Sequence, residues 1–251
     1  MKNRYYADLE TLIKEAESGD IDAQCLLAKK FHHGTDEVEK DCAKAVFWYA
    51  KVMESDPNTS ILNLEEVLNS NSWIDSDFDV AFSEMVCRSD AAFQLGEIYY
   101  WGDDKVERDR LKAVYWYTKA TKYDDLYGEA HLKLGNCYYY GEGTSQNYEK
   151  AVDNYTNAAL FHNNAEAQWR LGLCYKEGAG VSMNNEEAFE CFLSASKNEA
   201  PSVMAQFELA QCYHYGIGTE QDMERAKFWY QKAADEQHLY AIEMLKEFED
   251  N

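Results

Sequence analysis

The sequence predicts an all-α chain, an α-solenoid of about five to six helix–turn–helix units. Three observations lead there. First, a spaced pattern of Ala, Leu-Gly, Tyr and Gly recurs along the 251 residues. Second, only two prolines occur, Pro57 and Pro201, while aromatic residues reach 14% of the chain. Few prolines and many large side chains favour long helices with well-filled contacts between them. Third, each copy of the pattern is too short to bury its own apolar face and must stack on a neighbour.

The elements follow in order. Residues 1–18 read as an incoming half-unit. A loose first copy comes next, with Ala23, Leu27, Ala28, Phe31 and Gly34. The second copy reads Ala91, Leu95, Gly96, Tyr99, Gly102, and the third Ala130, Leu134, Gly135, Tyr138, Gly141. The fourth reads Ala167, Leu171, Gly172, Tyr175, Gly178, and the fifth Ala205, Leu209, Ala210, Tyr213, Gly216. The last three intervals between closing glycines are 39, 37 and 38 residues. Each copy continues into a second helical block, at 45–52, 113–120, 151–158, 188–195 and 226–233. In the first block Ala, Leu and Tyr share one helical face. The Gly after the Leu lets a neighbouring helix approach, and the closing Gly ends the helix. Leu239–Phe248 reads as a closing helix with an acidic end.

Gly34 and Gly102 stand 68 residues apart, so one interval is too long by most of a repeat. Ile61, Leu64, Val67 and Leu68 suggest one amphipathic helix there, and Phe78, Phe82, Met85 and Val86 another. Residues 53–90 are either a degenerate repeat or an insertion built for a partner. They carry nine acids against the single base Arg88, and Trp73 stands beside Asp75, Asp77 and Asp79. The whole of 1–251 is expected to form a single solenoid domain.

At this point the chain resembles a known family. The Leu-Gly-x-x-Tyr-x-x-Gly-x-Gly run and the later Lys-Ala-x-x-Trp-Tyr-x-Lys-Ala are similar to Sel1-like repeats, relatives of the tetratricopeptide repeat. The resemblance covers roughly 20–52 and 89–245. It implies a right-handed superhelix and a non-enzymatic role, since members are mostly adaptors and scaffolds. One branch is named for β-lactamase activity and resembles secreted proteins with disulfides between units. Here the inter-unit positions hold Ala158 and Ala167, and Ala195 and Ala205, so that activity is an unlikely alternative.

No catalytic or metal-binding constellation stands above chance. Ser194-Ala-Ser-Lys197 fits a nucleophile motif, but none of its companion motifs follows. The glycine pairs 141/143, 178/180 and 216/218 lack a preceding strand and a Gly-Lys-Ser/Thr, and read as turns. The six histidines make no zinc motif, and the seven cysteines make no Cys-x-x-Cys. Cys137, Cys174 and Cys212 recur at one repeat position, too far apart for a bridge, and read as small core residues. No cofactor is expected. The first 20 residues contain no signal-peptide core and nothing later resembles a membrane span, so the expected location is cytoplasmic.

The net charge of −22 repels nucleic-acid phosphates and anionic lipid, so neither is an expected partner, and it favours a basic protein partner. A groove lined by the first helices is the expected contact. With the repeat Leu facing the core, the opposite face takes Glu97, Tyr100, Trp101; Asn136, Tyr139, Tyr140; Arg170, Lys176; and Gln211, His214, Tyr215. Aromatic rings among amides and charges compose binding hot spots. The acidic stretch of Trp73, Asp75, Asp77 and Asp79 is a second candidate. Two roles fit: an adaptor holding partner proteins, or an immunity-type inhibitor neutralising a basic toxin such as a nuclease.

Overall fold

The computed structural model describes residues 8–54, 75–123 and 127–249, with the side chains of 75–84, 161–162 and 249 outside that description. Twelve helices and no strand occur among the described residues. They are α1 (Leu9–Glu17), α2 (Ile21–His33), α3 (Cys42–Glu54), α4 (Asp75–Trp101), α5 (Arg110–Tyr123) and α6 (Gly128–Tyr140). The remaining six are α7 (Tyr148–His162), α8 (Ala165–Glu177), α9 (Asn185–Ser196), α10 (Val203–Tyr215), α11 (Met223–Asp235) and α12 (Leu239–Glu249). The chain divides into two units, residues 1–130 and 131–251.

In the first unit, α1 sets Leu12 and Ala16 against Ala23 and Leu27 of α2, as an incoming half-unit should. The hairpins α2/α3 and α4/α5 then enclose a core of Ala28, Ala45, Tyr49, Ala91, Leu95 and Ile98. In the second unit, α7 and α8 join through Ala151, Tyr155, Leu171 and Cys174. Further on, Phe192, Leu209, Ala210 and Tyr230 form a core that α12 closes with Ala241, Met244, Leu245 and Phe248. The repeat Ala and Leu thus lie inside.

One turn geometry recurs in all five hairpins. The residue before the second helix is Asp41, Asp109, Asn147, Asn184 or Asp222. Its main-chain N–H donates to the carbonyl of the first helix's aromatic residue: Phe31, Tyr99, Tyr138, Tyr175 or Tyr213, at 2.7–2.9 Å. Its side chain accepts from a main-chain N–H in the first turn of the second helix, as Asn147 does from Lys150 at 2.9 Å. Four cations three positions later, Lys44, Lys112, Lys150 and Arg225, lie over the same aromatic rings at 5.2–5.4 Å. A short polar cap therefore fixes the entry angle of each second helix.

The glycine after the repeat Leu has a steric cause. A Cβ on Gly96 would lie 2.5 Å from the Tyr117 ring, and one on Gly172 2.5 Å from the Phe192 ring. Gly180 and Gly218, second glycines of their Gly-x-Gly turns, have a different one, which sequence reasoning missed. A side chain on Gly218 would run into the Asn185 carbonyl at the start of α9, and Gly180 stands likewise against Tyr148.

In the long interval, Phe78, Phe82, Met85 and Val86 do not form a separate helix. They belong to α4, a run of 27 residues that continues into the second repeat. No Gly or Pro breaks the sequence between 75 and 95, so nothing ends the helix there. Ile61, Leu64, Val67 and Leu68 lie outside the described residues.

Candidate functional site

The expected face divides by position within the repeat. In the last turn of each first helix, six after the Leu, Trp101 is 67% exposed, Tyr140 53% and Tyr215 57%. These rings leave apolar area in water. One position earlier, Tyr100, Tyr139, Lys176 and His214 are only half-buried. Their rings meet the buried aromatic of the second helix: Tyr100 on Tyr117 and Tyr139 on Tyr155, both at 6.4 Å, and His214 on Tyr230 at 6.0 Å.

Two residues after the Leu, the side chains turn inward. Glu97 accepts the Tyr117 hydroxyl, and Asn136 accepts the Tyr155 hydroxyl at 2.8 Å. In the fourth repeat Phe192 has no hydroxyl, and the matching position is Leu173. The fifth repeat uses another partner, with His214 Nδ1 3.3 Å from the Tyr230 hydroxyl. Glu97 and Asn136 therefore serve the buried hydroxyls of the second helices. Gln211, at the same position, is half-buried on α10.

In the second unit, polar contacts run from repeat to repeat. Tyr139 donates to Glu177 at 3.1 Å, and Lys176 pairs with Glu208 at 2.7 Å. Burial, and then the Glu177 charge, push the Tyr139 phenol up to about 12. Arg170 is held by Glu166 at 3.0 Å and donates to the Tyr140 hydroxyl. Its guanidinium lies 4.5 Å from the Trp169 ring centre, a desolvated cation–π contact. The Arg170 and Lys176 charges are thus neutralised locally.

In the first unit, a cleft of about 340 Å³ opens beside Trp101, lined by His32, Gln94, Glu97, Ile98 and Asp103. His32 stacks on His33 with ring centres 4.5 Å apart. Burial, helped by the nearby charges of His33 and Lys40, pushes His32 down to about 4, so its imidazole is neutral at pH 7.

Of the acidic candidate, Trp73 lies outside the described residues. Asp75, Asp77 and Asp79 fall in the first turns of α4, and their side chains lie outside that description too. Ser194 and Lys197 are both exposed at the end of α9. Among the described residues no group of three His, Cys, Asp or Glu could hold a metal ion. All seven cysteines are unbridged, with Cys137, Cys174 and Cys212 buried. No described helix is long and apolar enough to cross a membrane.

Comparison with known proteins gives a consistent picture. The model of the Sel1 repeat matches residues 21–51, 89–122, 128–160, 165–199 and 203–238. A solved Sel1 repeat protein from Oxalobacter formigenes is similar at 26% identity and a TM-score of 0.72, over 96% of this chain and 84% of that one. A protective antigen of uropathogenic Escherichia coli with an SLR fold has a TM-score of 0.75 at 22% identity. That likeness covers 94% of this chain and 43% of the antigen. Among curated proteins, the chitin synthase regulator SKT5 of Saccharomyces cerevisiae is 29% identical over 156 residues, 62% of this chain. The matched stretch spans 17% of that yeast protein's length.

Proposed function

Because the chain belongs to the Sel1 repeat family, whose repeats generally mediate protein–protein interaction, we propose that it is a non-enzymatic, cytoplasmic adaptor for a basic protein partner. The contact is made by the last turns of the first helices, with the acid-rich start of α4 as a second anchor. The observation that carries this reading is the exposure of Trp101, Tyr140 and Tyr215 at one repeat position. Large rigid rings give contact area at little entropic cost. The chain's net charge of −22 supplies the attraction for a basic partner. A relative whose name describes a regulator of another protein fits this role.

The test starts by capturing partners from the source organism at low and high salt and identifying them by mass. Each purified partner is then titrated with wild type and with Trp101→Ala, Tyr140→Ala and Tyr215→Ala. Loss of affinity of about tenfold or more in at least one variant is expected. Three variants that bind like wild type would remove the aromatic rim from the reading.

The charge also favours a second reading, an immunity-type inhibitor of a basic toxin. It requires one stoichiometric basic partner whose activity is blocked on binding. Charge reversal at Asp75–Asp79 would then slow association. Reversal at Glu97 would in addition remove an acceptor of the Tyr117 hydroxyl, so it is the less clean probe.

A further inference from the structure

We propose that Cys25 and Cys87 are a reversible disulfide site, oxidised by a small-molecule disulfide, that ties α4 to α2. Cys25 is buried on α2, and Cys87 is half-buried on α4. The Cys25 thiol lies 3.4 Å from the Cys87 carbonyl oxygen and within hydrogen-bonding reach of the Cys87 thiol. The Cys87 thiol in turn donates to Asp22 on α2 at 3.4 Å. One turn further along, Lys29 of α2 and Asp90 of α4 pair at 2.8 Å, so an ion pair joins the two helices next to the thiols. A disulfide needs its Cα atoms within about 7 Å, and a thiol 3.4 Å from the other cysteine's carbonyl oxygen sets the two residues side by side across the helix pair. Cys137, Cys174 and Cys212, by contrast, repeat along successive first helices.

The two thiols have distinct roles. Contact with the Cys87 thiol and burial push Cys25 far above the ordinary thiol range, so it does not attack first. Cys87 is the accessible sulfur. Its thiolate attacks the small disulfide, forming a mixed disulfide and releasing one small thiolate. Cys25 then displaces the second small thiol from Cys87, and its proton leaves with that thiol. Two protein thiols are oxidised, one small disulfide is reduced to two thiols, and excess small thiol reverses both steps.

The bridge joins positions 62 apart in sequence, enclosing residues 55–74 and the start of α4. In the oxidised state the helix that carries Asp75, Asp77 and Asp79 is fastened to the first hairpin. In the reduced state only side-chain contacts hold it. The inference stands apart from the protein-binding reading and is tested without any partner.

The full chain is incubated with oxidised glutathione, thiols are blocked, and peptides are mapped by mass under non-reducing conditions. Wild type is expected to give a Cys25–Cys87 cross-linked peptide, lost on adding reduced glutathione, together with a rise in Tm of several degrees. Cys25→Ala should stop at the mixed disulfide, with glutathione retained on Cys87. Cys87→Ser should leave Cys25 unmodified. Stable glutathione on Cys87 in wild type, a bridge between other cysteines, or no modification of either thiol would each overturn the proposal. Circular dichroism of both variants confirms that a missing bridge is not a missing fold.

Discussion

Tyr155 is fully buried, yet its hydroxyl reaches Asn136 Oδ1 at 2.8 Å. A buried hydroxyl without an acceptor costs about 1–3 kcal/mol, so Asn136→Leu should lower stability by roughly that amount. Tyr155→Phe should be milder, because Asn136 is half-buried and can turn to water. The double variant recreates the Phe192 and Leu173 pairing of the fourth repeat and should recover most of the loss in urea denaturation. A double variant as weak as the sum of the singles would mean the two residues are uncoupled. This pairing was hidden in the sequence. A helical wheel puts Glu97 and Asn136 on the far side of the Leu, but the second helix of the hairpin brings its hydroxyl round to meet them. The exposed Trp101, Tyr140 and Tyr215 were legible, because six residues past the Leu a side chain points away from the face that carries the Leu. His32 offers a pH test at the same scale. Its pKa falls from 6.5 in the unfolded chain to about 4 in the folded one, because burial disfavours the charged ring. Between those values the unfolded state binds more protons, so stability falls as pH drops from about 6.5 to 4. Below the folded value the group contributes no further loss. With solvent screening discounted, the effect is on the order of 1 kcal/mol. His32→Asn should flatten that part of the curve in thermal melts, and an unchanged slope would show that other groups set it.

Each hairpin depends on one small residue and one polar cap, and the two respond differently to change. Gly172→Ala adds a methyl 2.5 Å from the Phe192 ring. Alanine is favoured over glycine inside a helix by about 1 kcal/mol. Overpacking costs about 1–3 kcal/mol, so the net change should be destabilising. Gly218→Ala should be worse, since it meets the Asn185 carbonyl and sits at φ +68, where no flexible side chain can yield. Asn147→Ala should cost about 1 kcal/mol, the usual value of a lost helix cap, because its main-chain bond to Tyr138 survives. Urea midpoints should fall furthest for Gly218→Ala, with Gly172→Ala and Asn147→Ala each milder. A Gly218→Ala protein as stable as wild type would contradict the close approach of the Gly-x-Gly turn to α9. At this scale the helices were readable from the Ala, Leu and Tyr spacing, which sets one buried stripe. The Asx caps recur in the five described hairpins but are not legible from periodicity, because loop residues carry no hydrophobic period. The start of α4 was misread as a separate helix because the repeat pattern marks where a unit begins, not where a helix does.

The whole chain carries 46 acids against 24 bases, and this excess must act on the fold as well as on any partner. Ion pairs such as Lys14–Glu10 and Lys51–Glu54 are largely exposed, with side chains 44–80% accessible. Pairs of that kind contribute about 0–1 kcal/mol and weaken as salt screens them. The unpaired acids repel one another over longer distances, and salt weakens that repulsion too. With nearly twice as many acids as bases the repulsive sum is the larger, so added salt should stabilise the protein. We expect Tm to rise by several degrees between 20 and 500 mM sodium chloride, in the screening range where the Debye length shrinks from about 20 to about 4 Å. Sodium sulfate stabilises by exclusion from the surface as well, so sodium chloride is the cleaner probe. A falling Tm would mean that the exposed ion pairs outweigh the repulsion, and the acidity would then be a structural asset. A rising Tm means the chain keeps its charge at the expense of stability. An acidic surface that destabilises its own fold is accounted for by what it attracts, and the same salt series read against a captured basic partner should then show association slowing as the fold becomes firmer.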